Sequence, residues 1–122
     1  MKLTNLDRPL TSFSGEPIQQ NGPDGDSALT IKEVLLAFLT RMRTEKGTES
    51  MHVYKLGTEI YGAKDECAIE SKDMALLKHA VEQNAGQTLP NGQREPLFLA
   101  MIQGQVLSYL DEIDTADKKK GD

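Results

Sequence analysis

Thr30 stands three residues ahead of Glu33 at the head of a run in which Ile31, Val34, Leu35, Phe38 and Met42 recur at helical spacing. No other feature of the 122-residue chain constrains its fold as strongly. A threonine followed three residues later by glutamate forms a capping box, in which each side chain satisfies a backbone N–H left unpaired at a helix start. The pattern predicts a helix over 31–43, with Arg41 and Arg43 in its last turn facing the negative end of the helix dipole. Such a helix carries one apolar stripe and must bury it, so other elements have to pack against it.

The rest of the chain supplies them. Gly47 closes the first region, and Thr48 or Ser50 caps a second helix reaching about Tyr61. There Val53, Leu56, Gly57 and Ile60 share one face, while Tyr54 and Tyr61 form a second line seven residues apart. Gly57 weakens this helix by about 1 kcal/mol relative to alanine, which the close approach of a neighbouring helix would justify. The charged run Lys64-Asp65-Glu66 and the short apolar link Cys67-Ala68-Ile69 lead to Ser71 as the next cap. A third helix over 72–84 then buries Met74, Leu77, Ala80 and Val81. Residues 85–95 read as a turn-rich loop, and Pro96 suits the first position of a last helix. That helix runs from Leu97 to Ile113, with Leu99, Ile102, Val106, Tyr109, Leu110 and Ile113 on one face.

Ahead of the helices, Ser14-Gly15-Glu16 forms the tip of a small hairpin, with Pro17 confining the second arm to an edge. Residues 19–29 are rich in turn pairs and read as a loop. The expected fold is mainly α (α+β): about four helices packed as a small bundle with a short N-terminal β-hairpin. It forms a single domain over 1–122, with the ribbon and loop at 1–29, a helical body at 30–114 and a flexible tail at 115–122.

Aromatic residues make up 5% of the chain and tryptophan is absent, so the core rests on Leu, Ile, Val, Met and Ala. The formal net charge of -5 opposes binding to a phosphate backbone, and no nucleic-acid partner is expected. A single cysteine, Cys67, allows neither an intrachain disulfide nor a cysteine zinc site. The longest apolar stretch, VLLAFL at 34–39, is too short to cross a bilayer, and MKLTNLDRPL lacks the apolar centre of a signal peptide. A cytoplasmic protein without a membrane partner is the expectation.

Chemistry-bearing residues are dispersed. Counting an EF-hand loop from Asp24 puts Asp26 at the third position but Ala28 and Leu29 at the fifth and sixth, so the calcium pattern fails. The two histidines, His52 and His79, sit on different helices with no nucleophile beside either. Glu59, Asp65, Glu66, Glu70, Asp73, Asp111, Glu112 and Asp114 fall at helix ends and links, as solvated charge does. No glycine spacing suits a phosphate loop. The expectation is therefore no enzyme, no cofactor and no metal. What remains is surface: Leu97, Phe98, Met101 and Leu107 lie outside the main stripe of the last helix, which is then either central or covered by another subunit. Together with the basic Arg41 and Arg43 they are the candidate partner-binding residues, and central placement of that helix is favoured.

Three stretches in order, the ribbon ending in SGEPI with LTIKEVLLAFL, then YKLGTEIYGAKDECAIESKDMALLKHAV, then LFLAMIQGQVLSYL, resemble a group of small proteins encoded by tailed bacteriophages and prophages. The loop at 86–95 departs from the shorter connection of that group. The resemblance implies a phage or prophage origin and thus a bacterial host cytoplasm, and it supplies no site residue. The function expected is a non-enzymatic accessory protein that binds a protein partner, as an inhibitor of a host or defence protein or as an assembly factor. The alternatives are a virion structural subunit forming a homo-oligomer and a small transcriptional regulator.

Overall fold

The computed structural model describes residues 1–22 and 25–120; the expected turn at Pro23-Asp24 and the last two residues lie outside them. Four helices, α1 (Ile31–Arg41), α2 (Gly47–Gly62), α3 (Ser71–Gln83) and α4 (Ala100–Lys120), are joined by short antiparallel strand pairs. The strands are β1 (Lys2–Leu3), β2 (Gln19–Gly22), β3 (Gly25–Ala28), β4 (Cys67–Ala68), β5 (Ala85–Thr88) and β6 (Arg94–Pro96). They pair as β1 with β4, β2 with β3 and β5 with β6. The fold is mixed α+β and mainly helical, as the periodicity predicts.

Helix α1 begins as expected at Thr30, whose hydroxyl accepts the Glu33 amide at 3.3 Å. The carboxylate of Glu33 does not return to the cap backbone; it accepts from the Thr30 hydroxyl and from the Gln20 side-chain amide. The first-turn donors find partners elsewhere: the amides of Ile31 and Lys32 bond to the carbonyls of Arg8 and Leu6 at 3.0 and 2.9 Å. The N-terminal segment thus completes the start of α1, and it also enters the core, where Leu3, Leu6 and Leu10 are fully buried. Around them α1 contributes Ile31, Val34, Leu35, Phe38 and Leu39, and α3 contributes Met74, Leu77, Ala80 and Val81. Helix α4 adds Ile102, Val106, Tyr109 and Leu110. Helix α2 packs on α1, and α4 packs on α3, so α1 and α3 lie between them.

Several boundaries differ from expectation, each for a local reason. Helix α2 starts at Gly47 without a side-chain cap, because the amides of Glu49 and Ser50 both bond to the Lys46 carbonyl and draw the first turn back. The α3 cap is Glu70, one residue before Ser71, since the Asp73 carboxylate accepts the Glu70 amide at 2.9 Å. Where loops were expected, at 19–29 and 85–95, the described residues pair as β2 with β3 and β5 with β6. In the second hairpin Gly86 is required by close approach, because a Cβ there would stand 2.2 Å from the Glu95 carbonyl oxygen. Pro96 pairs with Ala85 and does not open α4. The helix begins later because Asn84 grips the backbone of Phe98 at both its amide and its carbonyl, each at 2.8 Å. The expected flexible tail is helical to Lys120, held by Lys78–Asp114 (2.7 Å), Lys118–Asp114 (3.4 Å) and the Met1 ammonium with Asp117 (3.8 Å). Gly57, finally, is not explained by close helix packing. The nearest atom to a Cβ at this position would be Leu39 Cδ1, at an ordinary 4.0 Å.

Candidate protein-interaction site

The candidate residues of the sequence do not converge. Phe98 packs edge-on against Phe38 with ring centroids 5.2 Å apart, and Leu97 and Leu107 are half-buried against the core. The backbone amide and carbonyl of Arg43 are both held by the Gln83 side chain (2.9 and 3.0 Å), which joins the end of α1 to the last turn of α3. Arg41 is exposed in the last turn of α1. Only Met101 faces a groove of interest.

That groove, of about 510 Å³, is bounded by Met101, Gly104, Ser108 and Glu112 of α4 and by Arg8 and Phe13. Phe13 is 96% exposed, an extreme value for the largest class of apolar side chain. It does not hang on a loose loop. The ribbon carrying it closes through Ser12 N–H to Glu16 carbonyl (2.8 Å), Gly15 N–H to Ser12 carbonyl (2.9 Å) and a Ser12–Ser14 hydroxyl bond (2.8 Å). Gly15 adopts the positive φ (89°) that this tip demands. Gln105 then clamps the base of the ribbon, accepting the Thr11 amide at 3.0 Å and donating to the Thr11 carbonyl at 2.5 Å. Beside it, the Arg8 guanidinium lies 5.5 Å from the centre of the Tyr109 ring, and the Tyr109 hydroxyl donates to the Thr4 carbonyl at 2.6 Å. Burial pushes the Tyr109 hydroxyl up to about 12, so it stays a neutral donor. The result is an aromatic side chain presented to solvent on a backbone with little freedom left to lose. The sequence signal for Phe13 was an apolar residue next to a turn; its exposure could not be read without knowing that Gln105 reaches it.

A second apolar surface lies on α2, where Met51, Tyr54 and Tyr61 are each about three-quarters exposed (73%, 77% and 75%). Between α1 and α2 runs a groove of about 510 Å³ lined by Leu36, Leu39, Met42, Val53 and Gly57 among others.

The polar clusters are of a different kind. His52 Nε2 and Asp73 Oδ1 are 2.6 Å apart and join α2 to α3, with Asp73 also capping α3. They border a depression of about 310 Å³ whose lining contains no Ser, Thr or Cys. Cys67 is instead in the core, its thiol pushed up by burial and by the charges of Glu59 and Asp73. Among the described residues no group of three or more His, Cys, Asp or Glu is placed to hold a metal ion, and no helix is long and apolar enough to cross a membrane. A polar cleft of about 840 Å³ beside the β5–β6 hairpin is lined by Arg43 and Arg94 together with Glu45, Glu49, Glu82 and Glu95, so acidic groups outnumber basic ones there.

These pairs carry a pH prediction. Burial alone would raise the Asp73 carboxyl, but the His52 hydrogen bond, the Glu70 amide and the nearby positive charges outweigh it and hold it below its usual 3.8. Asp114 is likewise lowered, first by its hydrogen bond from Lys78. Both carboxylates have a lower pKa folded than unfolded, so the unfolded chain takes up more protons in acid. Their contribution is present above the usual carboxylate value and is lost as pH falls through the folded values. Urea midpoints measured from about pH 5 down to about pH 2 should fall, and less steeply in Asp73→Asn than in the wild-type chain. An equal slope in the two would show that Asp73 plays no part.

Compared with protein-family models, with curated protein sequences and with solved structures, the chain finds no match in any of the three.

Proposed function

We propose that this chain is a non-enzymatic accessory protein of phage or prophage type that works in the host cytoplasm by binding a protein partner, with Phe13 as its anchor. The observation that carries this reading is the 96% exposure of Phe13 on a ribbon fixed by Gln105. An isolated phenyl ring in water gains nothing for the fold. Sunk into a partner's pocket, it supplies the buried aromatic contact around which interface energy concentrates. Because the ribbon is already ordered, little conformational entropy is lost on docking. Met101 adds an adaptable apolar contact beside it, and Arg8 and Glu112 give the rim one charge of each sign. The formal net charge of -5 favours protein over nucleic acid.

The test compares the wild-type chain with Phe13→Ser as bait in affinity capture from the bacterial host. At least one protein should be retained by the wild type and weakened by about 30-fold or more in the variant, the loss expected of a central aromatic anchor. The variant should keep its circular dichroism spectrum and melting temperature, since Phe13 is almost wholly exposed. Identical retention by both baits, or none by either, overturns the reading.

A further inference from the structure

We propose that Asn91 is a site of spontaneous modification: its side chain closes on the Gly92 nitrogen, loses ammonia and reopens as isoaspartate, which releases the tip of the β5–β6 hairpin. The chemistry involves neither Phe13 nor a partner, so it stands apart from the proposed function.

Leu89, Pro90, Asn91 and Gly92 make the turn of this hairpin. The Gly92 amide donates to the Leu89 carbonyl at 2.9 Å, and the Leu89 amide donates to the Gln93 carbonyl at 2.7 Å. Pro90 presets the second position of such a turn, and Gly92 takes the positive φ (86°) that closes it. Pro90 through Arg94 are all exposed, so water and hydroxide reach the turn. The Asn91 side chain is nevertheless held. Its Oδ1 accepts the Gln93 amide at 2.9 Å, a bond that curls the side chain back along the Asn91–Gly92 peptide. Cγ is thereby kept beside the nitrogen that attacks it, and glycine puts no Cβ in the way.

Base removes the Gly92 amide proton, and the nitrogen adds to Asn91 Cγ while the carbonyl electron pair moves onto Oδ1. The Gln93 amide already donates to that oxygen, as an oxyanion-stabilising group does. When the carbonyl re-forms, the Cγ–Nδ2 bond breaks and the nitrogen leaves as ammonia with a proton from water, giving a five-membered succinimide. Water then opens the ring. Attack at the side-chain carbonyl gives aspartate; attack at the main-chain carbonyl gives isoaspartate, whose backbone runs through the former side chain. Isoaspartate adds an atom to the backbone of the turn, so the bonds between Leu89, Gly92 and Gln93 no longer fit. The base of the hairpin is held separately, by the Leu97 amide on the Asn84 carbonyl and by the Asn84 side chain on Phe98. The tip loosens and the helices do not.

The chain contains its own comparison. Asn21-Gly22 is the same dipeptide, but it ends β2, where the two residues pair with Asp26 and Gly25. That strand pairing must break before the backbone can bend into the ring, whereas at Asn91 only the exposed Gly92–Leu89 bond must open.

Peptide mapping with electron-transfer fragmentation distinguishes isoaspartate from aspartate and reads each asparagine. After incubation of the native chain in mildly alkaline buffer, Asn91 should gain about 1 Da and carry isoaspartate. It should convert about tenfold faster than Asn21, the effect of one added hydrogen bond in the transition state. In guanidinium chloride the two pairs lose their backbone settings and should convert at similar rates. Asn91→Gln, which would need a six-membered ring, should stay unmodified. Trypsin should cut after Arg94 faster in aged than in fresh wild-type chain, at an unchanged melting temperature, and equally fast in aged and fresh Asn91→Gln. An intact Asn91, an Asn21 that converts as fast in the native chain, or Arg94 cleavage indifferent to ageing overturns the proposal.

Discussion

Replacing Phe38 by alanine should lower the free energy of unfolding by about 3–5 kcal/mol, the largest loss expected from any single truncation in this chain. Phe38 is 1% exposed and is the largest of the fully buried side chains. Aromatics are scarce, so no neighbouring ring can swing in to fill the void. The one ring in contact, Phe98, is fixed through its own backbone by Asn84 and cannot collapse toward the cavity. Loss of the edge-to-face pair adds to the transfer and cavity terms. Domains of this size are stable by about 5–15 kcal/mol in total, so the variant approaches the edge of folding. Urea denaturation followed by circular dichroism measures the difference. A loss under about 1 kcal/mol would mean that this centre of the core is misplaced.

Asn84→Ala should cost about 2–4 kcal/mol, although the residue is only half-buried. Asn84 closes α3 in the left-handed region (φ 44°, ψ 50°), where a Cβ-bearing residue other than asparagine is strained. Its carbonyl accepts the Leu97 amide at 3.0 Å, and its side chain binds both polar groups of the Phe98 backbone. Alanine loses both side-chain bonds and keeps the strain. Asn84→Gly relieves the strain but not the lost bonds, so it should fall between wild type and alanine. Thermal denaturation of the three proteins gives the ranking. Alanine and glycine variants of equal stability would remove backbone strain from the account, and wild-type stability in both would remove the clamp.

The helices were legible because their evidence is local. A cap residue, an acidic first turn and apolar spacing placed α1, and spacing alone named the four residues that α3 buries. The β2–β3 and β5–β6 hairpins escaped because their strands, QQNG with GDSA and AGQT with REP, carry no apolar alternation. Backbone pairing and the contact at Gly86 hold them, and side-chain pattern does not advertise either. The late start of α4 escaped for a related reason, since Asn84 acts on Phe98 from fourteen residues away. Of the candidate interaction residues, Met101 alone borders the Phe13 groove, because exposure depends on which faces other elements cover. The line of Tyr54 and Tyr61 was visible in the sequence, but a second apolar line on a helix fits a buried helix as well as an interface.

The Gln105 clamp has a consequence for the order in which a nascent chain becomes competent. Thr11 leaves the ribosome early, yet the side chain that immobilises it is made 94 residues later, and Tyr109 reaches Thr4 across 105. Until α4 has emerged and settled on α3, the tip bearing Phe13 rests only on the ribbon's own backbone bonds, such as Ile18 N–H to the Leu10 carbonyl at 2.8 Å. The full set of bonds that fixes the tip is therefore complete only in chains whose synthesis has passed this point.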